Sequence, residues 1–309
     1  MIEINGLTKR FGALTAVDNI AFKIEKGDAF GFVGPNGAGK TTTIRMLATL
    51  LPPDAGAASI NGHDIATDPE AVRACIGYMP DFFGVYDDMK VWEYLDFFAA
   101  AYRVPRPQRA GLIRDVLELT DLSNKRDEYV ESLSRGMKQR LCLAKTLIHD
   151  PEVLLLDEPA SGLDPRARIE IRELLQELVK MDKTILISSH ILPELSELCN
   201  KIGVIEAGKI ILAGSVKDIS AQLAGGVRLV VKCASRLQEV GAFLDGRSDI
   251  LRADLLEDRV EAVYQGPPGD HHRILADLVN AGFQVQSFAE EEADIESLYM
   301  RLTRGVAPQ

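Results

Sequence analysis

Residues 34–42, with the sequence GPNGAGKTT, constrain the fold of this 309-residue chain more than any other stretch. They fit the pattern G-x-x-x-x-G-K-[ST], in which a glycine-rich loop joins a strand to a helix. Residues 29–33 predict a short buried strand, and residues 41–51 predict a helix with one apolar face. The stretch therefore predicts a loop that holds a nucleoside triphosphate with Mg²⁺. The alternative is a glycine-rich turn without a ligand, and the strand–loop–helix context argues against it.

The residue types in this loop suit a phosphate ligand. Glycines let several backbone N–H groups point inward, and the start of the following helix adds partial positive charge. The ammonium group of Lys40 is expected to reach the β- and γ-phosphates, and the Thr41 hydroxyl is expected to contact Mg²⁺. The residues predicted to bind ATP in this loop are Gly34, Pro35, Asn36, Gly37, Ala38, Gly39, Lys40, Thr41 and Thr42.

Polar side chains follow two further predicted strands. Residues 153–156 are apolar and predict a buried strand, and Asp157 and Glu158 follow it directly. With a phosphate-binding loop present, Asp157 suits the role of Mg²⁺ ligand and Glu158 that of the base for the attacking water. The alternative is a strand that runs out into solvent. Residues 184–188 predict the next strand, so His190 is expected beside the γ-phosphate, although a lone histidine there is usually structural.

Two predicted helix starts and one aromatic residue add candidate contacts. Ser134 is a good N-cap, and Gly136 in the first turn allows close approach, so this helix start is a candidate second anion site or an ordinary cap. Asp164 and Pro165 predict the start of another helix. Phe11 lies in a predicted turn and is a candidate platform for adenine, the alternative being a core position.

Composition limits the classes of function. The net charge of −11 argues against a large nucleic-acid surface. No apolar run approaches the ~18–20 residues that span a bilayer, and the N-terminus lacks a signal pattern. We therefore expect a cytoplasmic protein that acts on a membrane only through a partner. The scattered cysteines predict reduced thiols and neither disulfides nor a metal site; they are Cys75, Cys142, Cys199 and Cys233.

With these motifs in order, residues 1 to about 220 resemble the ATP-binding subunit of an ABC transporter. The motifs that carry the resemblance are the phosphate loop, Leu-Ser-x-Gly at 133–136, Leu-Leu-Asp-Glu-Pro at 155–159, Ser-Gly-Leu-Asp at 161–164, and His190. The resemblance implies an α/β P-loop domain of the ABC type over residues 1–222. Such a domain has an antiparallel β subdomain and a helical insertion, here at about residues 88–150.

The resemblance also implies a mechanism. Two copies would form a homodimer on ATP binding, head to tail, with the phosphate loop of one copy facing the signature of the other. Glu158 would polarise water, His190 would contact the γ-phosphate, and Phe11 would stack on adenine. The residues expected to reach the partner's ATP are Ser134, Arg135, Gly136, Met137 and Asp164. Hydrolysis would power export through a separate multi-span membrane permease, which would hold the subunit at the inner face of the membrane.

Two positions depart from the family pattern. Arg135 stands where the signature usually has glycine, and its side chain is expected to project outward from the helix start, so that its charge helps attract phosphate. Asp81 stands where the family has glutamine after the Tyr-x-Pro turn. A carboxylate is a stronger but shorter Mg²⁺ ligand, so we expect the metal ligands to be Thr41, Asp157 and Asp81.

The remaining residues predict a second domain at 227–309. Its elements follow the order β-α-β-β-α-β over residues 227–289, which is ferredoxin-like, and residues 295–302 predict a closing helix. The aromatic loop of Phe82, Phe83 and Tyr86 predicts a contact surface. The rival function is a soluble ABC ATPase acting on ribosomes or nucleic acid. Chains of that class resemble one another in having either a second ATPase domain or a long coiled-coil insertion, and neither pattern occurs in these 309 residues. No nucleic-acid partner is therefore expected.

Overall fold

A computed structural model describes residues 1–81, 84, 88–216, 219, 227–267 and 269–291. The chain divides into two units, Met1–Gly214 and Ser215–Gln309. The predicted aromatic contact surface at residues 82–86 and the predicted helix at residues 295–302 fall largely or wholly outside the described residues. Within the part of the chain that is described, no helix is both long enough and apolar enough to cross a membrane.

A mixed sheet of six described strands forms the centre of the first unit, in the order β10-β9-β3-β8-β7-β6. The five strands from β9 to β6 run parallel to one another. Their carboxyl ends therefore meet at one edge, where ligands bind in open α/β sheets. The strands are β3 (Ala29–Val33), β6 (Ile76–Met79), β7 (Val153–Asp157), β8 (Thr184–Ser189), β9 (Lys201–Glu206) and β10 (Lys209–Ser215).

A second, antiparallel sheet has the order β2-β1-β4-β5. Its strands are β1 (Ile2–Phe11), β2 (Leu14–Ile24), β4 (Ala55–Ile60) and β5 (His63–Asp64). Its apolar side chains, such as Ile4 and Ile20, share one buried core with Phe30 and Leu155 of the central sheet. This sheet is the predicted antiparallel β subdomain, and it packs beside the central sheet of the predicted α/β domain.

Seven described helices belong to the first unit. They are α1 (Lys40–Leu47), α2 (Pro69–Cys75), α3 (Val91–Ala101), α4 (Arg106–Leu119), α5 (Arg135–Leu147), α6 (Pro165–Lys180) and α7 (Leu192–Ser196). Helices α3, α4 and α5 pack on one another within the predicted insertion. The sequence predicts that helix α1 ends at residue 51, but the helix ends at Leu47. Thr49, just beyond it, has a left-handed φ of 60°, which does not continue a helix.

The described part of the second unit is one antiparallel sheet with two helices. Its order β12-β13-β11-β14 is the ferredoxin-like arrangement of the predicted β-α-β-β-α-β series. Val240 and Leu244 of one helix and Ile274 and Leu278 of the other contribute to the same core. The elements are β11 (Val227–Cys233), α8 (Leu237–Asp245), β12 (Ile250–Leu255), β13 (Val260–Tyr264), α9 (His272–Asn280) and β14 (Val285–Glu291).

Candidate active site

The predicted phosphate loop joins β3 to α1 at the carboxyl edge of the central sheet. Close packing requires glycine at two of its positions. A Cβ on Gly34 would lie 2.3 Å from the Ile205 carbonyl oxygen, and one on Gly39 would lie 2.6 Å from that of Ala16. Gly39 also has a φ of 110°, which side chains rarely adopt. These glycines hold the loop tightly against β9 and β2, so the start of α1 is fixed in position.

The Lys40 ammonium group is only 5% exposed and lies inside the curve of this loop. Its Nζ donates hydrogen bonds to the carbonyl oxygens of Gly34 at 2.6 Å and Pro35 at 3.2 Å. It also lies 3.3 Å from Oε1 of Glu158. A buried charge is stable only when it is paired and hydrogen-bonded, and these three partners satisfy that requirement. Lys40 therefore places a fixed positive charge between the loop and the end of β7.

Asp157 ends β7 and is 1% exposed. The Ser188 hydroxyl donates to its Oδ1 at 2.7 Å, whereas its Oδ2 has no hydrogen-bond partner among the described residues. Burial raises the pKa of this carboxyl group above its ordinary value, and the hydroxyls of Ser188 and Thr41 oppose the rise. A buried carboxylate oxygen without a donor, beside the Thr41 hydroxyl, is suited to a divalent cation with oxygen ligands.

Glu158 has a φ of 50°, in the left-handed region that residues other than glycine seldom occupy. Its backbone N–H donates to the Ser188 hydroxyl at 3.0 Å. The resulting turn aims its carboxylate between Lys40, at 3.3 Å, and His190, whose Nδ1 lies 2.9 Å from Oε2. The structure thus brings together the predicted base, the predicted phosphate ligand and the predicted histidine.

Asp81 follows β6 at the same edge and is exposed. Its negative charge is one of the smaller causes that raise the pKa of Asp157. The pKa of Tyr78 is raised as well, chiefly by burial and then by the charge of Asp157. Neither Tyr78 nor Ser188 was among the sequence-predicted site residues. The parallel register that pairs Ser188 with Asp157 is the signal that identifies Ser188.

Phe11 lies at the end of β1 with 49% of its surface exposed. The Lys9 ammonium group lies 5.8 Å from the centre of its ring. The alternative that Phe11 fills the core is therefore wrong, and one face of the ring is available to a flat partner.

The predicted second anion site has the expected local structure. The Ser134 hydroxyl accepts a hydrogen bond from the Met137 N–H at 3.3 Å and caps α5, and Ser134 is exposed. Asp164 caps α6 in the same way through the Ala167 N–H at 3.0 Å. Among the described residues, no hydrogen bond joins residues 134–137 to the phosphate loop. Both caps remain at the surface of the unit.

Arg135 does not project outward as expected. Its Nη2 donates to the Ser161 carbonyl oxygen at 3.3 Å, and its guanidinium group lies over Gly162, where a Cβ would be 2.2 Å from Nη2. The side chain is exposed, but its guanidinium group turns back toward the segment after Glu158 and meets the Ser161 carbonyl oxygen and Gly162. The Arg135 charge therefore lies at the boundary between two motifs of the same chain.

A glycine-rich loop around a lysine, with a buried aspartate and a glutamate at the neighbouring strand end, defines a P-loop nucleoside triphosphatase. No group of three or more His, Cys, Asp or Glu side chains suited to a metal occurs in the described ranges. In enzymes of this class, Mg²⁺ takes one or two carboxylates and completes its shell with phosphates and water.

Comparison with known proteins gives the family. Residues 17–161 match the family described as ABC transporter. The chain is 40% identical over 305 residues to the "Nod factor export ATP-binding protein I" of Burkholderia pseudomallei (strain 1710b), covering 98% of this chain and 96% of that one. It is 32% identical over 310 residues to the "Daunorubicin resistance ATP-binding protein DrrA3" of Streptomyces coeruleorubidus, covering 98% and 95%.

A solved "Structure of ATP binding subunit of ABC transporter" superposes with a TM-score of 0.65 at 29% identity, over 72% of this chain and 92% of that chain. This chain belongs to the ATP-binding proteins of the ABC transporter family. The predicted family and fold are confirmed, and an ATP-binding ABC ATPase domain occupies the first unit.

Proposed function

We propose that this chain binds and hydrolyses ATP to power export through a separate multi-span membrane permease. The observation that carries the proposal is the cluster of Lys40, Asp157, Glu158 and His190 at one sheet edge, since each catalytic role has a residue there. Export is supported by the relatives, which are named for Nod factor export and daunorubicin resistance. The cargo is chosen by the permease, so it is not encoded in these residues.

ATP would lie along the phosphate loop, with its adenine on Phe11 and its β- and γ-phosphates at Lys40. The free Oδ2 of Asp157, the Thr41 hydroxyl and Asp81 would hold Mg²⁺. When bound, Mg²⁺ neutralises charge on the β- and γ-phosphates. Asp157 would be ionised with the cation bound, although burial raises the pKa of its carboxyl group.

Hydrolysis needs a base for water. Glu158 would accept a proton as the water oxygen bonds to the γ-phosphorus and the bond to the bridging oxygen of ADP breaks. His190 hydrogen-bonds one oxygen of the Glu158 carboxylate, and the Lys40 ammonium group attracts the other from 3.3 Å, so both contacts orient the group. Such positioning, together with electrostatic stabilisation, supplies most of the catalysis in phosphoryl transfer.

The exposed helix start at Ser134 supports a dimer. One chain carries both a phosphate loop and a second capped, exposed anion site that makes no hydrogen bond to that loop within the described residues. A two-fold pair of chains brings each site to its complement in the other copy. Each ATP would then contact the phosphate loop of one copy and residues 134–137 and Asp164 of the partner.

The test of the export role is co-purification. The chain, expressed from its natural gene neighbourhood and isolated from detergent-solubilised membranes, is expected to bring with it a protein of about six spans of ~20 apolar residues each. Its ATP turnover is expected to change when that complex is placed in lipid. Recovery with ribosomes or nucleic acid, and with no membrane protein, would contradict export and favour the rival class.

Replacing Phe11 by Ala is expected to weaken ATP binding about 5- to 100-fold, because stacking of a base on an aromatic ring contributes roughly 1–3 kcal/mol. Replacing it by Trp should preserve affinity. The measurement is equilibrium binding of ATP and of inorganic triphosphate, since triphosphate affinity should not change. Leu14→Ala is the control, because Leu14 begins β2 beside Phe11 in the hairpin and is also exposed. Equal ATP affinity in Phe11→Ala and Leu14→Ala would contradict the stacking role.

Replacing Asp81 by Ala is expected to raise the Mg²⁺ concentration for half-maximal ATP hydrolysis about tenfold, because one oxygen ligand is lost from a hard cation. Asp81→Gln should restore part of the effect, since its carbonyl oxygen reaches further. The measurement is phosphate release against Mg²⁺ concentration at fixed ATP. Asp115→Ala removes an exposed carboxylate on α4 and serves as control. An unchanged Mg²⁺ dependence in Asp81→Ala would remove Asp81 from the metal site.

A further inference from the structure

Two side chains of α5 hold the segment that follows Glu158. Arg135 and Gln139 are four residues apart, so they lie on the same face of the helix. Arg135 Nη2 donates to the Ser161 carbonyl at 3.3 Å, and Gln139 Nε2 donates to the Pro159 carbonyl at 2.5 Å. Gln139 is 3% exposed, so its contact is sealed from water. Helix α5 therefore hydrogen-bonds the turn that follows Glu158 at two points.

This turn is continuous with Glu158. The Ser161 N–H donates to the Glu158 carbonyl oxygen at 3.0 Å, which closes the turn on the residue itself. Gly162 has a left-handed φ of 66°, and any Cβ there would meet the Arg135 guanidinium group at 2.2 Å. Arg135 can therefore occupy this place because residue 162 has no side chain.

The two helix starts are also packed closely. A Cβ on Gly136 would lie 3.3 Å from the Ala167 Cβ in the first turn of α6. Displacement of the start of α5 therefore presses on the start of α6, as well as pulling on the turn after Glu158. Packed interiors transmit such displacements because they have few voids.

We propose that Arg135 is a positioning residue that couples the two ATP sites of the dimer, which rests on the proposed function. The start of α5 touches the ATP held by the partner's phosphate loop, whereas Arg135 fixes the turn that sets Glu158 in its own site. Occupation of one site thereby orders the base of the other. Coupling of this kind makes ATP hydrolysis cooperative in ATP concentration.

The test is a double-mutant cycle on Arg135→Gly and Gly162→Ala. Gly162→Ala displaces the guanidinium group, keeps its charge and also strains the backbone at a φ of 66°, whereas Arg135→Gly removes the group and its charge. Each is expected to lower the turnover number about tenfold, with KM within about twofold, and to reduce the Hill coefficient from about 1.5 or more to about 1. The double variant is expected to be no worse than Gly162→Ala, since both changes break the same contact and the backbone strain is already present in that variant. Steady-state ATP hydrolysis over a wide range of ATP concentration measures all three quantities.

Arg166→Gln is the matched control, because Arg166 is an exposed arginine in the first turn of α6 that pairs with Glu170. Arg135→Lys keeps the charge but lacks the planar guanidinium group, so it is expected to lose cooperativity as Arg135→Gly does. It also keeps the proposal testable if Gly162→Ala does not fold. Cooperativity retained in Arg135→Gly or Arg135→Lys overturns the proposal. The proposal is also overturned if the losses of turnover in the two single variants multiply in the double variant and KM rises. Arg135 would then act directly on the partner's phosphate. Failure of the proposed function is a different result: wild type and Arg166→Gln would not hydrolyse ATP.

Discussion

Replacing Glu158 by Gln is expected to lower ATP turnover about 10²- to 10⁴-fold, the usual contribution of a general base. The amide keeps the size of the side chain and can still contact Lys40 and His190, but it cannot accept a proton at neutral pH. ATP affinity should be unchanged within about threefold, because the phosphate loop is untouched. The measurement is phosphate release in a steady-state assay alongside equilibrium ATP binding.

The same variant tests the dimer. With hydrolysis blocked, ATP should remain between the two copies and hold them together, so size-exclusion chromatography with saturating ATP and Mg²⁺ should show a species of twice the mass. Glu152→Gln is the matched control, since Glu152 is an exposed carboxylate at the opposite end of β7. Wild-type turnover in Glu158→Gln would contradict the role of Glu158 as the base. A Glu158→Gln protein that stays monomeric with ATP bound would contradict the dimer.

Replacing Lys40 by Met is expected to weaken ATP binding about 10- to 100-fold, because a hydrogen bond to a charged group contributes roughly 1.5–3 kcal/mol. Turnover at subsaturating ATP should fall further, since the same ammonium group also orients Glu158 at 3.3 Å. Equilibrium dialysis with labelled ATP gives the affinity. Thermal unfolding checks the fold, because Met fills a similar volume but leaves the carbonyl oxygens of Gly34 and Pro35 without a donor.

Lys26→Met is the control for this second variant, because Lys26 is an exposed lysine in the turn before β3. It should bind ATP as the wild type does. If Lys40→Met were folded and bound ATP as tightly as Lys26→Met, the assignment of the loop as the phosphate site would be wrong.

The sequence predicted features whose causes are local. Residues 34–42 and the apolar run before Asp157 carry their own pattern, so the loop, β7 and the placement of the carboxylates could be read directly. Pro107 lies in the first turn of α4, although proline usually ends or interrupts a helix. The helix begins at Arg106, because proline is tolerated in the first turn, where its missing N–H has no partner.

Features that depend on contacts through space could not be predicted in this way. Ser188 joins Asp157 only because β7 and β8 pair in a particular register. The Arg135 contact with Gly162 joins residues from two different helix starts, and neither residue shows a pattern that points to the other. The left-handed φ of Glu158 is likewise imposed by its surroundings, since glutamate has no intrinsic preference for it.

Ser188 has a consequence that extends beyond its own contacts. Its proton is committed to Asp157 Oδ1, and its oxygen lone pair accepts the Glu158 N–H. Rotation about the Cα–Cβ bond of Ser188 would move the oxygen atom and break both hydrogen bonds, of which the one to Asp157 is buried. A displacement of Ser188 would therefore disturb Asp157, assigned to the cation, and Glu158, assigned to the proton, at the same time.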